Sequence, residues 1–231
     1  DPRTHKKFVV DWKLRLFRDQ RFRQAVSFAI DREGLAKSVF SSRAVPIYSF
    51  VSPGDKTWYS DDVMKYPLDT ARARQLLAEI GLKDTNGDGF LEDAEGHTVE
   101  FDMSVNASNS QRVETAGVIA RNLKEVGIKA NINAISALGA IARLMEQTHE
   151  FDAIVLGWQI NPPPGPAGTK NTVVSSGFHH ACFPSQTKPS TEWEARIDQL
   201  VKEIETHPDA AERKRLWAEV QRIWSEQLPE I

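Results

Sequence analysis

An α/β fold with a small, open, mostly parallel sheet flanked by helices is what these 231 residues predict, and three stretches carry the prediction. FDAIVLGW, residues 151–158, is a short unbroken apolar run. It suits a strand covered on both faces, as strands of parallel sheets are. TVEFDMSV, residues 98–105, alternates, with Val99, Phe101, Met103 and Val105 on one face. IKANINAI, residues 128–135, alternates in the same way through Ile128, Ala130, Ile132 and Ala134. A helical pattern separates each strand from the next, so residues 98–158 read β-α-β-α-β. Helical crossovers demand parallel pairing with right-handed connections, and here they place the first strand between the other two.

The remaining elements follow in chain order. Residues 1–18 mix charge with Phe8, Val9, Val10 and Trp12 and read as an extended lead-in. Asp19 then caps RFRQAVSFAIDREGLAKSVF, where Phe22, Val26, Ala29 and Ile30 fall at helical spacing. Asp31 opens a second helix through Leu35 and Val39 after a break at Ile30. Residues 41–68 hold Pro46, Pro53 and Pro67 among Tyr48, Phe50, Trp58, Tyr59 and Tyr66. No period persists there, so this is a long loop that its aromatics pack down. A helix over 69–80 is capped by Asp69, turns Ala73, Leu76, Leu77 and Ile80 inward, and closes at Gly81. Val113, Val118, Ile119 and Leu123 mark a helix over 111–126, ended by Gly127. Ser136 caps another through residue 145, carried by Ile141, Leu144 and Met145. Residues 159–191 are rich in Pro, Gly, Ser and Thr and lose periodicity, which reads as either a binding loop or a disordered tail, with Phe178, Phe183 and the helix beyond arguing for a pinned loop. Two amphipathic helices, over 192–205 and 209–227, close the chain. Asp209 and Glu212 make a variant capping box at the start of the second.

Composition narrows the function. Apolar residues make up 40% and charged residues 26%, a globular balance. A net charge of −3 gives no reason to expect nucleic acid, since the composition requires no basic face. No apolar run approaches the roughly 18 residues that cross a bilayer. Cys182 is the single cysteine, so no internal disulfide and no cysteine cluster for zinc is expected. The opening DPRTHKK has no apolar core of a signal peptide and reads as the start of an excised or processed piece. No GxSxG, HExxH or Walker motif is present, and none of the six histidines stands in a nucleophile motif. No catalytic residue is assigned.

Four places remain for function. Trp158 leaves the anchor strand at its C-terminal end, where open α/β sheets collect ligands. Its indole is either a wall of a groove or a cover for the sheet end, and Gly157 beside it permits close approach. In the first long loop Tyr48 is either a second wall or packing, and Arg43 could meet a carboxylate. In the second, His179, His180 and Cys182 form a close N/S group that falls short of a full metal-ligand set. The loop DTNGDGFLEDAEG, residues 84–96, is sharper. Asp84, Asn86, Asp88, Phe90 (through its carbonyl), Glu92 and Glu95 occupy the ligand positions of a calcium loop around Gly89. A strand follows where an EF-hand needs a helix, so the letters fit either structural calcium or a turn held by its own side chains.

Several segments together resemble a known family. RFRQAVSFAIDREGLAKSVF, YPLDTARARQLLAEIGLKDTNGDGFLED, RNLKEVGIKANIN and FDAIVLGW resemble, in order, segments of the family 5 solute-binding proteins of ABC importers, which take dipeptides, oligopeptides and nickel. The final helices fit as well, so the likeness covers essentially the whole chain. It implies the second, C-terminal lobe of a two-lobed periplasmic binding protein of type II fold. Its partners would be a small solute, a peptide among the candidates, the missing first lobe and an ABC permease in the inner membrane. Its place would be the periplasm or the outer face of the cytoplasmic membrane. It needs no cofactor beyond the calcium alternative. The resemblance implies solute contacts at Trp158, Gln159, Asn161, Phe178, His179 and His180. In many peptide-binding members an acidic residue soon after the tryptophan pairs with the peptide amine. Here no Asp or Glu follows until Glu192, so that counter-charge would have to come from elsewhere. The competing readings are a stand-alone α/β enzyme with its site near Trp158, which would need a nucleophile or cofactor, and a sensor built on the same fold.

Overall fold

The computed structural model of the chain describes residues 9–137, 139–157, 165–180 and 186–231. These divide into two compact units. One runs to Pro46 and resumes over Tyr66–Gly157; the other comprises Ile47–Lys65 and the residues from 158 onward.

The first unit is the α/β part. Helices α1 (Asp11–Arg18), α2 (Gln20–Ala29), α3 (Arg32–Ser38) and α4 (Thr70–Glu79) precede strand β1 (Glu100–Asn106). Helix α5 (Ser110–Lys124), β2 (Lys129–Ile135), α6 (Ala140–Arg143) and β3 (Ala153–Val155) follow. The sheet order is β2-β1-β3, with both pairs parallel, so the first strand is central as the crossovers demand. Phe101, Met103 and Val105 of β1 lie in a core with Phe22, Leu76 and Leu123. The caps are where the sequence puts them: Asp19, Asp31 and Asp69 accept the backbone N–H of Arg21, Gly34 and Arg72. Gly81 and Gly127 take φ of +85° and +82°, the left-handed turn that ends a helix cheaply only at glycine.

Four expectations in this unit change. Residues 11–18 are helical rather than extended. Dense charge masks an inward stripe in which Phe17 meets Phe101 edge-on at 5.7 Å, and Lys13 Nζ reaches Asp152 at 2.6 Å. The anchor strand shrinks to the three residues of β3, each half-buried. It finds only Met103–Val105 to pair with, so the apolar run is longer than its ladder. β2 is mostly exposed along its length, and Ile132 lies 42% exposed. Ser136 forms no cap among the described residues: Gly139 (φ 72°) is the N-cap of α6, which loosens into a π-helical turn, Leu144–Thr148.

The second unit is helical among its described residues. Helix α7 (Pro166–Val173) lies inside the segment whose composition reads as loop, and Pro166 at its first position explains how a Pro/Gly-rich stretch can start a helix. Helices α8 (Glu192–Thr206) and α9 (Ala210–Gln227) are the amphipathic pair. Their core joins Leu200, Ile204, Trp217 and Trp224 to Val51 and Val173. Phe50 packs edge-on against Trp217 and Trp224, at 5.3 and 5.2 Å. Gln221, fully buried on α9, ties the first long loop down: its amide donates to the carbonyl of Trp58 and accepts the N–H of Ser60.

Candidate functional site

Trp158, Gln159 and Asn161 lie outside the described residues, as does Cys182. Gly157, at the end of the anchor run, is exposed, and a Cβ there would stand 3.4 Å from the Arg112 guanidinium. Arg43 is exposed and Tyr48 half-buried, each in its own unit.

The other expected contacts sit on a turn that follows α7. The sequence Ser-Ser-Gly-Phe-His-His, residues 175–180, folds back on the helix. His179 N–H donates to the carbonyl of Asn171, and His180 N–H to that of Gly177. Glycine is required at 177 for space alone: a Cβ would come 2.1 Å from the Asn171 carbonyl oxygen. Two carboxylates of α8 pin the turn. Asp198 accepts both the N–H and the hydroxyl of Ser175, at 2.8 and 2.5 Å. Glu194 pairs with His180 Nε2 at 3.0 Å.

Glu194 is the most heavily bonded side chain of this region. Its Oε1 faces His180 and the Gln186 amide, and its Oε2 accepts the N–H and hydroxyl of both Ser190 and Thr191. Burial by itself pushes the Glu194 carboxyl up. The hydrogen bonds from His180, Ser190, Gln186 and Thr191 outweigh burial and hold its pKa down to about 2. The group is therefore an ionised carboxylate at neutral pH, and His180 must present Nε2–H to it. His180 and Glu194 are both sealed from solvent, and His180 Nδ1 has no partner among the described residues. His180 is thus an interior side chain, where the resemblance implies a solute contact. Phe178 is the reverse case: its ring is 49% exposed and stands edge-on to His179 at 4.8 Å.

Sequence reasoning passed over Glu194. The signal was present: Thr191-Glu-Trp-Glu194 is a capping box, and both halves of it form at the start of α8.

The acidic loop belongs to the first unit. Asp84 accepts the N–H of Gly87 and Gly89, Asn86 that of Asp88, and Asp88 that of Phe90. Glu92 is buried, and Thr85 donates its N–H and hydroxyl to it at 2.7 Å. One carboxylate oxygen each from Asp84, Asp88 and Glu92 lies within 4.8 Å of the others. An all-oxygen set of this kind could chelate a metal ion of the hard type. Glu95, the twelfth position, points elsewhere and pairs with Arg15 at 2.5 Å. Antiparallel bridges at Lys83–Glu92 and Glu92–Thr98 close the loop where an EF-hand would have its second helix.

Residues 7–179 match the protein family described as bacterial extracellular solute-binding proteins, family 5 Middle. The chain is 31% identical over 229 residues to the "Probable ABC transporter-binding protein" of Deinococcus radiodurans, covering 95% of this chain and 38% of that one. It is 27% identical to the oligopeptide-binding protein AppA of Bacillus subtilis, whose structure in complex with a nonapeptide superposes with a TM-score of 0.78 over 93% of this chain and 41% of AppA. The periplasmic binding protein MelB of Agrobacterium fabrum, in complex with stachyose, shares the fold: TM-score 0.77 at 24% identity, over 94% of this chain and 34% of MelB. The chain spans about two fifths of the length of the curated relatives it matches.

Proposed function

The chain belongs to the bacterial extracellular solute-binding proteins of family 5, and from that membership we propose that it is the second lobe of a two-lobed binding protein serving an ABC importer. Its role is non-catalytic. Residues 1–231 form one lobe, and the 159–191 segment borders the cleft in which the whole protein holds its solute. Proteins of this family work in the periplasm or held at the outer face of the cytoplasmic membrane, and this chain is read the same way. The whole protein captures a peptide or another small solute and delivers it to a permease. Trp158, Gln159, Asn161, Phe178 and His179 supply this lobe's solute contacts.

The observation that carries the reading is the pairing of a family match along most of the chain with only two fifths of its relatives' length. Half a clamshell should bind weakly, because the opposing wall supplies much of the burial. Calorimetric titration of residues 1–231 and of the full-length parent, with a panel of peptides and oligosaccharides, tests this. Tight binding by the parent and weak binding by the piece is expected. Equal, tight binding by both would overturn the one-lobe reading.

The metal capable of occupying the acidic loop is read as structural calcium at Asp84, Asp88 and Glu92, with the Phe90 carbonyl as a further oxygen donor; the Asn86 amide, which here donates to Asp88 and Glu92, would have to turn its oxygen inward to join them. Calorimetry should give heat on calcium addition to the wild type and none to Asp88→Ala; a silent wild type removes the proposal.

A further inference from the structure

The exposed aromatic and the sealed histidine beside it form one device. A phenylalanine half open to solvent is ordinary on a mobile loop. Here it stands on a turn fixed from three sides. Gly177 lets the backbone close onto Asn171, Ser175 is bound to Asp198, and His180 is bound to Glu194. The last bond is the most heavily supported, since four further groups from Ser190 and Thr191 orient the carboxylate that receives it. The turn's end is anchored in the interior, since His180 is fully buried 6.5 Å from the Trp193 ring that packs on the helical core, while Phe178 is not among the described members of that core. What the bonds fix is the direction of the neighbouring side chains. A ring held outward before its partner arrives loses little conformational freedom on binding.

We infer that His180 and Glu194 are positioning residues, which lock the turn so that Phe178, edge-on to His179, presents a rigid apolar face to the C–H-rich side of a solute. This rests on the solute-binding role proposed above and names the solute chemistry that this wall selects. An aliphatic or aromatic peptide side chain offers such a face, and so does the flat side of a sugar ring. His180 itself touches no solute. It acts through the N–H it donates, so a side chain with an amide N–H at the same reach should replace it and an apolar one should not.

The test uses the longest natural chain that contains residues 1–231, carrying 4-fluorophenylalanine, with the Phe178 signal assigned by its loss in Phe178→Leu. The wild type and His180→Gln should each show one narrow fluorine line for position 178. Glu194→Gln and His180→Leu should split or broaden it while the other phenylalanine lines hold. A single unshifted line in both of those variants overturns the positioning role. If Glu194→Gln does not fold, the two His180 variants decide the same point. Binding is read with two probes, a leucine-rich nonapeptide and stachyose. Phe178→Ala and His180→Leu should weaken whichever probe binds by tenfold or more, with His180→Gln within about twofold of wild type. A Phe178→Ala protein that binds that probe undiminished overturns the apolar-face assignment. If the wild type binds neither probe, the solute classes proposed above fail, and the fluorine lines still decide whether the clamp exists.

Discussion

Glu92 and Glu194 are the same residue type, both buried, and each accepts an N–H and a hydroxyl from a nearby threonine. Their surroundings differ. Every other group around Glu194 is a donor: two serine groups, an amide and an imidazole N–H. Around Glu92 the nearest side chains include two more carboxylates, Asp84 and Asp88. A carboxylate ringed by donors is finished and does structural work; carboxylates facing one another are unfinished and favour a cation. The difference lies in the company each group keeps, and substitutions can break it.

The largest effect is expected at Glu194. Removing the Glu194 carboxylate strands the buried donors that face it, His180 Nε2–H among them, each at about 1–3 kcal/mol, so several at once cost about 3–5 kcal/mol. Glu194→Ala should lose stability of that order by urea denaturation, read from the tryptophans of the second unit. A loss under 1 kcal/mol would mean that the donors around it find other partners. Gln221 should come next. Truncation to Ala leaves the Ser60 N–H and the Trp58 carbonyl without it, in a place where each orphaned group costs about 1–3 kcal/mol. Gln221→Ala should therefore destabilise by roughly 2 kcal/mol, and protease should cut within residues 47–65 more readily than in wild type.

Acid tests the Glu194 carboxylate directly. Glu194 is depressed to about 2 from an ordinary value of 4.5. A depressed carboxyl contributes stability that is present above the ordinary value and is lost as pH falls through the folded one. The stability gap between wild type and Glu194→Gln should be full above pH 4.5 and close as pH approaches 2. Paired urea titrations across that window check it. A gap independent of pH would show that charge is not what holds the turn.

How much of this was legible in the sequence follows from the range of the forces involved. The caps at Asp19, Asp31 and Asp69 and the parallel order of the three strands depend on neighbours within a turn or on crossover length, so letters and spacing were enough. α1 was hidden because its inward residues, Leu16 and Phe17, are outnumbered by charge, and the Asp152 partner that fixes Lys13 is far along the chain. α7 was hidden because proline and glycine signal a loop everywhere except at a helix start. The same limit governs the site. The calcium-type spacing of residues 84–95 is local and was read in full, though Glu95 leaves the set for Arg15. The His180 bond to Glu194 spans 14 residues, so the letters His-His could not show that His180 lies buried against a carboxylate of α8.

The smallest expected effect bears on the unfinished side of the comparison. Asp88 is exposed, and its visible bonds are to the N–H of Phe90 and the amide of Asn86. Without metal, Asp88→Ala should change stability by no more than about 0.5 kcal/mol, since exposed turn side chains carry little. With calcium at about a hundred times its dissociation constant, the wild type should gain about 2.7 kcal/mol and the variant nothing. Chemical denaturation in calcium and in chelator, followed by amide exchange in β1, measures both quantities. A wild type indifferent to calcium would put Glu92 in the same class as Glu194: a carboxylate whose bonds to Thr85 and Asn86 already suffice, with Asp84 and Asp88 serving only to fold the turn around it.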